Sequence, residues 1–200
     1  ASYAASYWLK SSRTQLTSIT FISPTNMGTD GFARYSECNN MTSFTAPAAA
    51  FSDLTRMDYM FRDCTSLSSF SDADTSSCSI FTYTFHNCSS LVTAPTFDYS
   101  SCTGLYSTFI NCTSLTTFPA NAFNSTGTFG TNSFTLAFHN CALTAQSIEN
   151  ILTSLDTNGQ SNVILHINGG TNAGYSTWST AAQTALTNLT NRGWTVYKNN

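Results

Sequence analysis

The sequence predicts an α/β solenoid, a stack of short parallel strands repeating about every 24 residues and closed by a helix-containing C-terminal cap. Three observations point there. Cysteines recur at near-constant spacing through the middle of the chain. Aromatic and aliphatic residues hold fixed offsets from each of them. Beyond Cys141 the apolar spacing changes to that of amphipathic helices.

Aligned on cysteine, the chain reads Tyr35-x-x-Cys38-x-x-Met41-x-x-Phe44, then Phe61-x-x-Cys64-x-x-Leu67-x-x-Phe70. It continues with Phe85-x-x-Cys88-x-x-Leu91-x-x-Ala94 and Phe109-x-x-Cys112-x-x-Leu115-x-x-Phe118. The cysteine steps are 26, 24 and 24 residues. A fainter first unit carries Leu16, Ile19 and Phe21, and a last one carries Phe138-x-x-Cys141. Another apolar residue stands seven places before each of four cysteines: Met57, Phe81, Leu105 and Phe134. One such unit cannot bury its own apolar face, whereas stacked units make a continuous core. A short strand is expected around each Leu-x-x-Phe segment, with Phe-x-x-Cys forming a turn or short helical piece on the return side. Ser76-Ser77-Cys78 and Ser100-Ser101-Cys102 mark a second corner, matched in the preceding unit by Asp53-Leu54. The stack is assigned to residues 16–143.

The remainder is read as an αβαβ cap over 144–200, since solenoids need atypical ends to cover apolar faces. Thr144 is placed to cap a helix whose buried side holds Ile148, Ile151, Leu152 and Leu155. Val163 to Ile167 reads as a strand, followed by an Asn168-Gly169-Gly170 turn. A second helix is expected to carry Trp178, Ala181, Ala182, Ala185, Leu186 and Leu189 and to stop at Gly193, with Trp194 to Tyr197 as the closing strand. Residues 1–15 are an N-terminal arm or cap, in which Tyr3, Tyr7, Trp8 and Leu9 suggest packing on something.

Composition bounds the function. Only 8% of the 200 residues are charged, the net charge is −3, and 14% are aromatic. Ser and Thr fill the gap at roughly a third of the chain, in place of the usual charged share of about a quarter. The seven basic residues are scattered, which argues against nucleic acid, whose phosphates need clustered Lys and Arg. No apolar run reaches the length of a membrane span, and the opening Ala1-Ser2-Tyr3 shows no leader pattern. A charge-poor, hydroxyl-rich surface suits an extracellular, cell-surface or virion location.

Met57-Asp58-Tyr59-Met60-Phe61-Arg62-Asp63-Cys64-Thr65-Ser66-Leu67 resembles the BspA-like leucine-rich repeat family. Phe85-His86-Asn87-Cys88-Ser89-Ser90-Leu91 and Phe109-Ile110-Asn111-Cys112-Thr113-Ser114-Leu115 fit the same pattern: an aromatic, two residues, Cys, Thr or Ser, Ser, Leu. The resemblance covers about residues 16–143 and implies a leucine-rich-repeat-like fold. It also implies a surface-exposed or secreted binding protein of bacteria or some protists, or a phage structural protein. Leu143 to Tyr197 looks like the ending of such bacterial and phage chains. Cys141-Ala142-Leu143 departs from the Cys-x-x-Leu pattern, so the last strand is displaced or the helix begins early. The family brings no catalytic motif.

Cys64, Cys88 and Cys112 share one repeat position and Cys78 with Cys102 another. Parallel-pointing side chains about 4.8 Å apart suit a disulfide poorly, and no close cysteine pair suggests zinc. They are read as small buried spacers. His86 and His139 lie two residues before a repeat cysteine, but Arg62 and Ile110 fill the equivalent places, so a Cys–His catalytic pair is not expected. Asp53, Asp58, Asp63, Asp72 and Asp74 form an acidic group without calcium-loop spacing, read as a solvated face. The residue before the inward apolar position of each strand (Ile19, Phe44, Phe70, Ala94 and Phe118) is a small hydroxyl: Ser18, Ser43, Ser69, Thr93 and Thr117. Strand alternation would align these on an open sheet face beside Thr20, Thr45 and Ser71, as candidate contacts with a glycan, a protein or ice. Asn40, Asn87, Asn111, Asn124 and Asn188 are glycosylation sequons, informative only in a eukaryotic source.

The expected function is therefore a non-enzymatic, extracellular or virion-associated binding or adhesion module. It would use the hydroxyl column together with aromatics such as Tyr59, Tyr83 and Tyr106. The alternative is a structural subunit of a filament, sheath or virion coat assembled through the N-terminal arm. Partners would be a surface glycan or protein, or neighbouring copies of the chain, with no nucleic acid, no membrane span, no cofactor and no metal.

Overall fold

The computed structural model describes residues 13–21 and 27–200. Successive turns of chain lie parallel on one another. Strands β1 (Ser18–Thr20), β2 (Ser43–Thr45) and β3 (Ser69–Phe70) form a parallel sheet in that order. Its register pairs Ser18 with Ser43 and Ser43 with Ser69, and Ile19 with Phe44 and Phe44 with Phe70. Beyond β3 the ladder thins to single parallel bridges, Ala73 with Phe97 and Thr93 with Thr117. The expectation of a strand in every unit is corrected here. Pro95 and Pro119 follow Ala94 and Phe118 directly, and a residue without an N–H cannot extend a ladder.

The return side is hydrogen-bonded as regularly. The N–H groups of Tyr59, Phe61 and Asp63 donate to the carbonyls of Thr82, Thr84 and His86 one turn later. Those of Phe85 and Asn87 donate to Thr108 and Ile110, and those of Phe109 and Asn111 to Ala137 and His139. Each of these turns needs two left-handed residues: Tyr59 and Asp63 (φ 60° and 62°), Tyr83 and Asn87 (57° and 61°), Ser107 and Asn111 (53° and 62°). Asp and Asn tolerate that region, which explains the second position of each pair. Tyr does not favour it.

The apolar offsets of the sequence point inward. Met57, Phe61, Cys64, Leu67, Phe81, Phe85, Cys88, Leu91, Leu105, Phe109, Cys112 and Leu115 are wholly buried. The return-side rings stack nearly parallel: Phe61 to Phe85 at 5.5 Å and 6°, Phe85 to Phe109 at 5.5 Å and 7°, Phe109 to Phe138 at 5.6 Å and 7°. Each fully buried phenylalanine stabilises the stack by ~1.5–3 kcal/mol, so this column dominates its energetics. Leu16 holds the same place as Met41 and Leu67 but is 38% exposed, having a neighbouring turn on one side only among the described residues.

At the C-terminal end, helix α1 (Ala145–Asn158) starts one residue beyond Leu143. Thr144 is its N-cap, its side chain accepting from the Ser147 N–H, and Gly159 ends it at φ 81°. The helix takes the place of a strand: Thr144 N–H donates to Thr116 O, and the Ser147 hydroxyl accepts from Phe118 N–H at 3.0 Å. On the return side β4 (Ile164–Ile167) continues the ladder, with Phe138 N–H donating to His166 O and Asn140 N–H to Asn168 O. β5 (Thr195–Lys198) pairs parallel with β4.

The second helix, α2 (Thr180–Asn191), begins later than the sequence reading placed it. Ser179 caps it by accepting from Ala182 N–H at 3.1 Å, so Trp178 lies before the helix, and Ala181 is exposed rather than on the buried side. Trp178 closes a 3-10 turn at Tyr175–Thr177 and donates its indole N–H to Ala173 O. The end of the assigned arm is tied to the next turn: Arg13 donates to Ser36 O at 2.9 Å and Asn40 to Thr14 O at 2.5 Å. Tyr3, Tyr7, Trp8 and Leu9 lie outside the described residues. No helix among the described residues is long and apolar enough to cross a membrane.

Candidate functional site

The cysteine columns face inward. The thiols of Cys64, Cys88, Cys112 and Cys141 donate to the carbonyls of Tyr35, Phe61, Phe85 and Phe109 at 3.1, 3.2, 3.1 and 3.1 Å. Cys78 and Cys102 bond locally to Ile80 O and Gly104 O. All seven thiols are free and buried. Burial pushes the Cys78, Cys102 and Cys141 thiols up to about 12, and Cys88 and Cys112 upward as well. Only Cys38, at the N-terminal end of its column, is shifted down, by the neighbouring Cys64 side chain first and then by the charge of Arg13. A thiolate nucleophile needs the reverse environment.

His86 faces Asp63, whose Oδ1 is 3.7 Å from its Nδ1, and meets the Tyr83 ring edge-on at 5.6 Å. The Cys88 thiol points instead to a buried carbonyl, so the neighbouring His and Cys have different partners. His139 lies 3.3 Å from Asn168 Oδ1.

The acidic residues do not make one solvated face. Asp58 is 4% exposed and held by Arg56 through Nε at 2.6 Å and through Nη2. Asp63 accepts from Asn87 Nδ2, Asp72 from Thr96 N–H and Asp74 from Ser76. Among the described residues no group of three or more His, Cys, Asp or Glu is placed to hold a metal ion.

The five hydroxyls before the inward apolar strand positions stand where the register puts them, in the order Ser18, Ser43, Ser69 and then Thr93 opposite Thr117. Ser43 is half-buried and the other four are exposed. Among the described residues the side chains of Ser18, Ser43, Ser69 and Thr93 make no hydrogen bond, and Thr117 meets only the hydroxyl of Thr116, at 3.4 Å. The adjacent column behaves differently. Thr42, Ser68 and Thr116 donate their hydroxyls to Thr17 O, Thr42 O and Val92 O of the preceding turn. Two neighbouring hydroxyl columns thus divide the work: one satisfies backbone carbonyls, the other faces outward. Of the residues expected beside it, Thr20 and Thr45 are exposed, but Ser71 is tied to both backbone groups of Ala46.

The sequons are structurally unequal. Asn87 donates to Asp63, Asn111 to Asn87 and Asn140 to Asn111, an amide column at 2.6, 2.9 and 2.9 Å. The glycosylatable nitrogens of Asn87 and Asn111 are therefore used inside it. Asn188 donates to Asp156 and Asn124 to Asn121, and Asn40 alone of the five is exposed.

Tyr59, Tyr83 and Tyr106 are half-buried and lie on the return side, not beside the hydroxyl column. They form a row with Phe32, which is 49% exposed: Phe32 to Tyr59 at 5.6 Å, Tyr59 to Tyr83 at 4.9 Å and Tyr83 to Tyr106 at 5.6 Å. The Arg56 guanidinium sits 4.8 Å over Phe32 and that of Arg62 5.9 Å from Tyr59. Sequence reading missed Phe32 and Ile80 because neither occupies a repeating aromatic position; exposure identifies them, and exposure is a tertiary property. Comparison with protein-family models, curated proteins and solved structures found no match to this chain.

Proposed function

We propose that this chain is a BspA-like, leucine-rich-repeat-like solenoid acting as a non-enzymatic binding or adhesion module outside the cell or on a virion. One observation carries the reading: an in-register column of outward hydroxyls, four of which lack any hydrogen bond among the described residues, beside a column whose hydroxyls are consumed internally. A fold that needed these groups only for its own backbone would use both columns alike. Many weak polar contacts repeated at the turn spacing add up along an extended surface, which suits a surface glycan or protein as partner.

The test is an array of host-surface glycans and proteins probed with the wild-type chain and with a Ser43→Arg, Ser69→Arg, Thr93→Arg variant. All three sites are solvent-facing or half-buried and outside the core, so the variant is expected to fold. Wild-type binding that the variant loses supports the reading. Absence of wild-type binding to any surface component overturns it.

A further inference from the structure

Repeat columns run outward as well as inward, and one is interrupted. Asp30, Arg56 and Ile80 follow one another across parallel bridges on the outer surface. The next turn places Gly104 after Cys102 just as Ile80 follows Cys78, so the side chain that would continue the column is missing. A Cβ at Gly104 would stand 2.8 Å from the Ser133 side chain and 2.9 Å from its backbone, because Leu105 N–H bonds to Ser133 O and draws the turns together. The gap is a groove of about 390 Å³ between Ile80 and the 130–133 segment, with Tyr106 along it.

Its lining has a distinct chemistry. Ile80, 38% exposed, gives an apolar wall and Tyr106 an aromatic one. Thr82, Thr131 and Asn132 bring hydroxyl and amide groups that make no side-chain hydrogen bond among the described residues. No residue lining it is charged. Tyr106 makes one ring contact, tilted 73° against Tyr83, and Tyr83 in turn stacks on Tyr59, so an aromatic row leads away from the groove. Tyr59 and Tyr83 hold left-handed backbone, which disfavours bulky side chains, at positions where other turns have Ala33 and Ser107. The fold does not require tyrosine there.

We propose that this groove, continued by the tyrosine row, binds a neutral saccharide. A sugar ring offers an apolar C–H face for Tyr106 and Ile80 and hydroxyls for Thr82, Thr131 and Asn132, and it carries no charge that an uncharged lining would leave unpaired. The proposal rests on the binding-module reading and adds a second contact on the return side, separate from the hydroxyl column on the sheet.

Soluble cellohexaose, maltohexaose and hexa-N-acetylchitohexaose, with heparin as the charged counterpart, are titrated into the 15N-labelled full chain. At least one neutral hexasaccharide is expected to shift the amides of Gly104, Thr131 and Asn132. Tyr106→Ala is expected to weaken it about tenfold, as truncation of an aromatic anchor does, while Tyr106→Phe keeps the affinity within about threefold. No shift at millimolar neutral saccharide overturns the proposal, as do shifts confined to Ser43, Ser69 and Thr93 or a groove that takes heparin alone. Array binding with a silent groove would overturn this site and leave the binding-module reading standing.

Discussion

Asn111 sits at the centre of the amide column, and replacing it separates backbone geometry from side-chain bonding. Its Nδ2 donates to Asn87 Oδ1 and its Oδ1 accepts from Asn140 Nδ2, both at 2.9 Å. Its φ is 62°. Asn111→Ala removes both hydrogen bonds, at about 1 kcal/mol each for a half-buried neutral pair. It also places an alanine in the left-handed region, at a further ~1 kcal/mol. The expected loss is therefore about 3 kcal/mol. Asn111→Gly loses the same bonds but not the backbone penalty, and the greater freedom of glycine in the unfolded chain offsets part of that relief, leaving a loss of about 2.5 kcal/mol. Urea unfolding followed by far-ultraviolet circular dichroism gives both values from the shift in midpoint at constant slope. Equal losses for the two variants, or a loss under about 1 kcal/mol for alanine, would refute the account of the column.

Three other outcomes are expected. Phe85→Ala removes the ring between Phe61 and Phe109, both at 5.5 Å, and lowers unfolding free energy by about 4 kcal/mol; Phe85→Leu costs less than half of that, measured by the same urea titration. In the native chain at pH 8 the thiols are expected to resist Ellman's reagent, because burial disfavours the thiolate, with Cys38 reacting first and all seven titrating in denaturant. Rapid reaction of Cys88 or Cys112 would contradict their buried bonding. His166 Nδ1 accepts from Leu136 N–H at 3.1 Å, its ring lies 4.3 Å from that of Tyr197 on β5, and His139 faces it from the preceding turn. Burial first, then the nearby His139, lowers its pKa from 6.5, so the folded chain binds the proton less readily than the unfolded one. Its contribution is then full above pH 6.5 and is lost as pH falls from 6.5 toward the lowered folded value. Thermal unfolding between pH 7.5 and 5 should show a smaller acid-side drop for His166→Gln than for wild type, and identical pH profiles would exclude this role.

Much of the architecture was legible because stacking converts sequence distance into spatial equivalence. A spacing of 24 residues between Cys64, Cys88 and Cys112 is enough to assign them one environment, and each thiol does reach the carbonyl of an aromatic in the turn before. Thr144 was readable as a helix cap since the cap needs only a hydroxyl three residues before an N–H. Local chemistry also decided against some readings: Pro95 and Pro119 shorten the later strands, and Ser179 takes the helix start from Trp178.

What the sequence by itself determined is column membership, because residues at one offset in each repeat meet the same neighbours. It could not say what an outward column does. Ser68 and Ser69 are the same residue type side by side, yet one donates to a carbonyl of the preceding turn and the other makes no bond among the described residues. Likewise Gly104 is one small residue among many until Ser133, 29 places on, closes against it and leaves a groove lined by Ile80 and Tyr106. Those outcomes depend on the lateral offset between turns of chain, which is set by the packing of the whole core and by no single segment.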